Sequence, residues 1–76
     1  MKAYVLVSVR TGMVKEAVKN LRRLQGVQSA HITFGPYDAV AVIEAPDVKR
    51  LGELLASEIQ PIPGVEGTLT CLAVDE

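Results

Sequence analysis

Residues 24–33 read LQGVQSAHIT, and residues 62–71 read IPGVEGTLTC. Both run from an apolar residue through one intervening position to Gly-Val, and then into a strand-like segment. Before the first copy, Val14, Ala17, Val18, Leu21 and Leu24 fall at helical spacing, with Lys15, Glu16, Lys19, Arg22 and Arg23 on the other side. Arg22 and Arg23 sit in the last turn, where positive charge suits the helix dipole. Gly26 suits the left-handed residue that ends a helix. Before the second copy, Pro46-Asp47 can open a helix. Val48, Leu51, Leu55 and Ile59 mark its buried face, and Pro61 and Pro63 end it. Strand-like runs complete the pattern: AYVLVSV (3–9), VQSAHITF (27–34), AVAVIEA (39–45) and TLTCLAV (68–74). The doubled order β-α-β-β-α-β predicts an α+β chain with the ferredoxin-like split βαβ fold. Right-handed crossovers then place the third strand beside the first in the middle of the sheet, with the second and fourth at its edges.

Two helices cover one face of such a sheet. The first strand is nevertheless apolar on both sides, with Ala3, Val5, Val7 and Val9 against Tyr4 and Leu6. The third sets Ala41 and Ile43 against Val40 and Val42. An antiparallel sheet with one wet face should alternate apolar and polar residues. A second copy of the same sheet is the natural cover. The expected form is a face-to-face dimer with sheets stacked ~10 Å apart, of the dimeric α/β-barrel class.

The chain has 76 residues, room for a single domain spanning 1–76. A domain this small is marginal without a disulfide, a metal or a partner subunit. One cysteine, Cys71, allows no internal disulfide, and one His with one Cys makes a metal site unexpected, so no cofactor is expected. Self-association remains as the source of further burial. A formal net charge of −1 gives no general attraction to phosphate backbones, which disfavours direct DNA binding. The apolar runs fall far short of the ~20 residues that span a bilayer, and Met1-Lys2 leads straight into a strand with no signal peptide. A cytoplasmic protein without membrane association is expected.

No phosphate loop, nucleophile elbow or metal cluster appears. His31 and Cys71 fall on opposite edge strands, ~14 Å apart, too far for proton transfer within a subunit, so an enzyme is not expected. Cys71 reads as a small core residue, His31 as a half-exposed strand residue and Glu44 as a surface-facing strand end. Thr68 and Thr70, two apart, share a strand face and fit either β propensity or a binding role. The stretch TFGPYDAV (33–40) is less easily explained. Turn chemistry accounts for Gly35 and Pro36, and an Asx-turn would account for Asp38. A hairpin needs none of the bulk of Tyr37. A ring, a carboxylate and close-approach backbone N–H groups offer what a free amino acid requires. On the residues alone, the ligand and structural readings both stay open.

Gly26-Val27, the Phe34-Gly35-Pro36-Tyr37-Asp38 hairpin, and Pro63-Gly64-Val65 followed by Thr68-x-Thr70 resemble the effector-binding (RAM) domain of the Lrp/AsnC-type transcriptional regulators. The resemblance covers essentially the whole chain. It implies a non-enzymatic βαββαβ subunit, dimers joined through their sheets, and rings of dimers, often octamers. It also implies amino-acid effectors bound between dimers, with Gly35, Tyr37 and Asp38 matching the hairpin part of the site and Thr68 and Thr70 the strand part. Pro36 stands where the family varies and would stiffen the pocket mouth. Full-length members carry a DNA-binding helix-turn-helix ahead of this domain, whereas Met1 here opens on the first strand. A stand-alone module is therefore expected, self-assembling or co-assembling with full-length Lrp/AsnC-type regulators. Two other classes share the topology. One is a small dimeric barrel enzyme of the monooxygenase kind, which the lack of Trp and the single His disfavour. The other is an ACT-like regulatory module, whose sheets would meet side by side at an edge.

Overall fold

A computed structural model describes residues 1–75. The chain runs β1 (Lys2–Val9), α1 (Val14–Arg23), β2 (Val27–Ile32), β3 (Ala39–Glu44), α2 (Val48–Glu53), a π-helical segment (Leu54–Ile59) and β4 (Val65–Leu72). The strands form one antiparallel sheet in the order β2-β3-β1-β4, as the doubled sequence predicts.

The Gly-Val repeat is structural as well as textual. Val27 N–H donates to Leu24 O at 3.2 Å and Val65 N–H to Ile62 O at 3.1 Å, so LQGV and IPGV close the same turn. Gly26 and Gly64 sit at its third position with φ of 104° and 93°, a conformation that favours glycine. Each glycine carbonyl then accepts from the end of a central strand: Gly26 O from Glu44 N–H at 2.8 Å, and Gly64 O from Arg10 N–H at 2.7 Å. The same device thus launches both edge strands, β2 and β4.

Cross-strand partners share a face of the sheet. Ala3, Val5 and Val7 pair with Ile43, Ala41 and Ala39, and all six are buried under the helices. α1 contributes Ala17, Val18 and Leu21 to this core, and its Arg22 Nε–H donates to Ala30 O of β2 at 2.9 Å. Small residues in the central strands let α1 approach the sheet closely.

The sheet is not closed into a barrel. The expectation of a dimeric α/β-barrel is corrected here: β2 and β4 are free edges, separated by β3 and β1. Four strands are too few to close around a packed interior, which takes about eight. The architecture is an open sheet with helices on one face.

Asp47 opens α2 as expected, as its N-cap, its Oδ1 accepting from Arg50 N–H at 2.8 Å. Two further expectations change. The helix then widens, Gln60 N–H donating to Leu55 O five residues back. This shifts the phase, so Leu51, Leu54 and Ile59 are buried, Leu55 is half-buried and Val48 is exposed. β4 begins at Val65 rather than Thr68, because the strand absorbs Glu66 as a bulge. The pairing passes from Ser8–Gly67 to Val9–Val65 and leaves Glu66 without a partner.

Candidate functional site

The hairpin between β2 and β3 is held at its base by Thr33. Its N–H donates to Asp38 O at 3.0 Å and its hydroxyl to Tyr37 O at 2.9 Å. Asp38 ties the hairpin to β1: its N–H donates to Val7 O at 3.0 Å, and its Oδ2 accepts from Val9 N–H at 2.7 Å. The carboxylate therefore holds the end of a central strand, a structural duty that a local Asx-turn would not provide. The other carboxylate oxygen remains for a further partner.

Above this base, Phe34 is fully exposed. Gly35, Pro36 and Tyr37 line a cleft of about 360 Å³ with Thr33, Phe34, Leu6 and Val40. Leu6 and Val40 are cross-strand partners on the face away from the helices. Tyr4, Val42, Leu69 and Cys71 lie on that same face by register, and Tyr4 and Leu69 are 43% and 49% exposed. The cleft thus opens at the margin of an apolar sheet face that the subunit itself does not cover.

The five expected site residues do not form one pocket within the subunit. Gly35 and Tyr37 share the hairpin cleft, whereas Asp38, at the base of the hairpin, is not among the residues that line it. Thr68 and Thr70 share a face as expected, but it is the helix side, opposite Val7 and Val5. Thr68 lines a separate cleft of about 290 Å³ with Gln60, Val65, Glu66 and Gly67, and Thr70 lines neither. Cys71, expected in the core, is exposed, because its pairing with Tyr4 turns it to the uncovered face. His31 is exposed on β2, opposite Val40 and away from Cys71 on the far edge. Glu44 is half-buried and binds the Met1 ammonium at 2.8 Å. Phe34 reads in the sequence as a strand residue, yet it belongs to the hairpin tip. An aromatic directly before Gly-Pro, beyond the last paired residue, is the signal that could have found it. Among the described residues no group of three or more His, Cys, Asp or Glu could hold a metal ion, and no helix is long and apolar enough to cross a membrane.

A family model described as the Lrp/AsnC ligand binding domain matches residues 2–76. The HTH-type transcriptional regulator FL11 of Pyrococcus abyssi is 34% identical over 74 residues, which are 97% of this chain and 48% of FL11. The chain spans about half the length of this curated relative. The crystal structure of TTHA0845 from Thermus thermophilus superposes with a TM-score of 0.94 at 32% identity, over 99% of this chain and 94% of that one. The transcriptional regulator NMB0573 of Neisseria meningitidis, solved as an L-Met complex, shares the fold with a TM-score of 0.88 at 18% identity, over 99% of this chain and 50% of that one. With its split βαβ topology, its glycine-turned edge strands and a match along nearly its full length, the chain belongs to the Lrp/AsnC ligand-binding domain family.

Proposed function

We propose that the module binds a free amino acid where its hairpin meets a neighbouring subunit pair, and that binding shifts the assembly state. The observation that carries this reading is the position of the hairpin cleft. It joins an exposed aromatic tip to the margin of an apolar sheet face, so a partner surface is needed to enclose it. Two sheets stacked face to face would cover Tyr4, Leu6, Val40, Val42 and Leu69. Rings of such dimers, octamers among them, would then bring a hairpin tip against a neighbour. The separation of the Thr68 cleft from the hairpin cleft supports a site built from two subunits.

In that site Tyr37 walls the ligand and the free oxygen of Asp38 takes its ammonium group. Backbone N–H groups near Gly35, with Thr68 and Thr70 hydroxyls from the neighbour, take its carboxylate. One protein with this fold, the meningococcal regulator, forms a complex with L-Met. A ligand held between subunits favours whichever assembly completes the site. Co-assembly with longer Lrp/AsnC-type regulators would pass that preference on to them.

Calorimetry against the twenty amino acids tests the proposal, with Asp38→Asn as the variant. Asparagine keeps an acceptor for Val9 N–H while losing the charge. A charge-assisted bond is worth ~1.5–3 kcal/mol, so affinity should fall roughly tenfold to a hundredfold with the fold intact. Unchanged affinity in Asp38→Asn, or no binding to the wild type at millimolar concentration, rejects the hairpin site.

A further inference from the structure

His31 is the single histidine of the chain, and an ordinary imidazole changes charge between pH 5 and 8. The strand register fixes where it stands. His31 pairs with Val40, Val40 with Leu6, and Leu6 with Leu69. One row of side chains thus crosses all four strands on the bare face, with the imidazole at its β2 end and aliphatic side chains along the rest. The adjoining row, Ser29, Val42, Tyr4 and Cys71, holds no Asp, Glu, Lys or Arg. The charged groups of this face lie beyond both rows. Lys2 and Glu44 pair at one end, four residues along β3 from Val40 or about 13 Å, and Glu44 accepts from the Met1 ammonium. Asp38 stands at the hairpin end, its Oδ2 accepting from Val9 N–H. From the helix side, Arg22 reaches the neighbouring Ala30 O at 2.9 Å and sets a positive charge behind the same strand. Among the described residues no ion pair includes His31.

We propose that His31 makes the sheet-to-sheet association acid-sensitive: the neutral imidazole fits at the end of the apolar row, and the protonated one opposes a second copy laid over it. This rests on the stacked-sheet reading given above. A partner sheet of the same four-strand width covers the β2 end of the row as well as its centre, and a symmetric pair brings in two imidazoles. Burial against aliphatic side chains disfavours the charged form, and Arg22 behind β2 adds like charge. Association therefore releases protons. It is strongest where the imidazole of the free subunit is neutral and weakens as the pH falls through the histidine range. Each linked proton changes the association up to about tenfold per pH unit, and the two together up to about a hundredfold.

The test is sedimentation velocity over a dilution series at pH 7.5 and pH 5.5 and fixed salt, on the wild type and on His31→Gln, with far-UV circular dichroism at both pH values to show that the subunit stays folded. His31 is exposed on the subunit, so glutamine there leaves the core alone and stays neutral at both pH values. The wild-type dissociation constant should rise at pH 5.5 by up to about a hundredfold, and that of His31→Gln should stay the same. Equal acid weakening in His31→Gln would place the sensitivity in Glu44 or Asp38 and overturn the inference. Wild-type association that is the same at both pH values overturns it as well, while leaving the stacked sheets standing. A wild type that is a folded monomer at both pH values rejects the stacked sheets and this inference together.

Discussion

The two faces of the sheet are built from similar numbers of apolar residues and end in opposite conditions. On the helix side, Ala3, Val5, Val7, Ala39, Ala41 and Ile43 are at most 1% exposed. They lie under Leu21, Leu54 and Ile59, which are equally buried. On the other side, Tyr4 and Leu69 stand 43% and 49% exposed, with Leu6, Val40 and Val42 half-buried beside them. The difference lies in size and in what the chain has left to offer. The helix face uses small residues in its central strands because its own helices must approach. The bare face uses larger ones, as a surface does when its cover is brought from outside. The core is therefore built on one side of these strands, and the assembly proposed above would use the other.

The comparison can be broken most violently from the helix side. Val5→Asp places a charge where no described polar side chain is buried to meet it. An unpaired buried charge costs several kcal/mol, comparable with the whole stability of a domain this size, about 4–11 kcal/mol at 0.05–0.15 per residue. Far-UV circular dichroism should show an unfolded chain at every protein concentration. A folded Val5→Asp protein would mean that the helix face is not the core.

A smaller effect sharpens the same contrast. Asp47→Ala removes the N-cap of α2 and its bond to Arg50 N–H, which should cost about 1 kcal/mol. Denaturant unfolding should register that loss while sedimentation stays unchanged, because the cap touches neither the bare face nor the hairpin. A shift in assembly without a shift in stability would place α2 in an interface instead.

Much of this was legible in the sequence, for identifiable reasons. Alternation in β1 and β3 gave away both faces, because strand side chains point to opposite sides with period two. The Gly-Val repeat gave away the two edge strands, because each turn needs a glycine at positive φ. What stayed hidden depended on counting one residue more. The π turn inserts a residue into the helical phase and buries Leu54 in place of Leu55. The bulge inserts Glu66 into β4 and starts the strand at Val65. The barrel failed for a different reason: apolar faces report that a cover is needed, not that a sheet closes. At the hairpin, Tyr37 stood out because the turn did not need its ring, whereas Gly35 was already explained by the turn. The bond from Val9 N–H to Asp38 was out of reach, since it joins residues 29 apart in sequence.

The central claim is that the bare face is closed by a second copy of the chain. Sedimentation velocity at low micromolar concentration, on the wild type and on Leu6→Lys, tests it most directly. Leu6 pairs with Val40 and Leu69 in the middle of that face, so a lysine there would bring a charge into the interface and leave the helix-side core untouched. The account predicts a wild type with no folded monomer, and a Leu6→Lys variant that sediments as a monomer or unfolds on dilution. A wild type that sediments as a folded monomer at that concentration would contradict it.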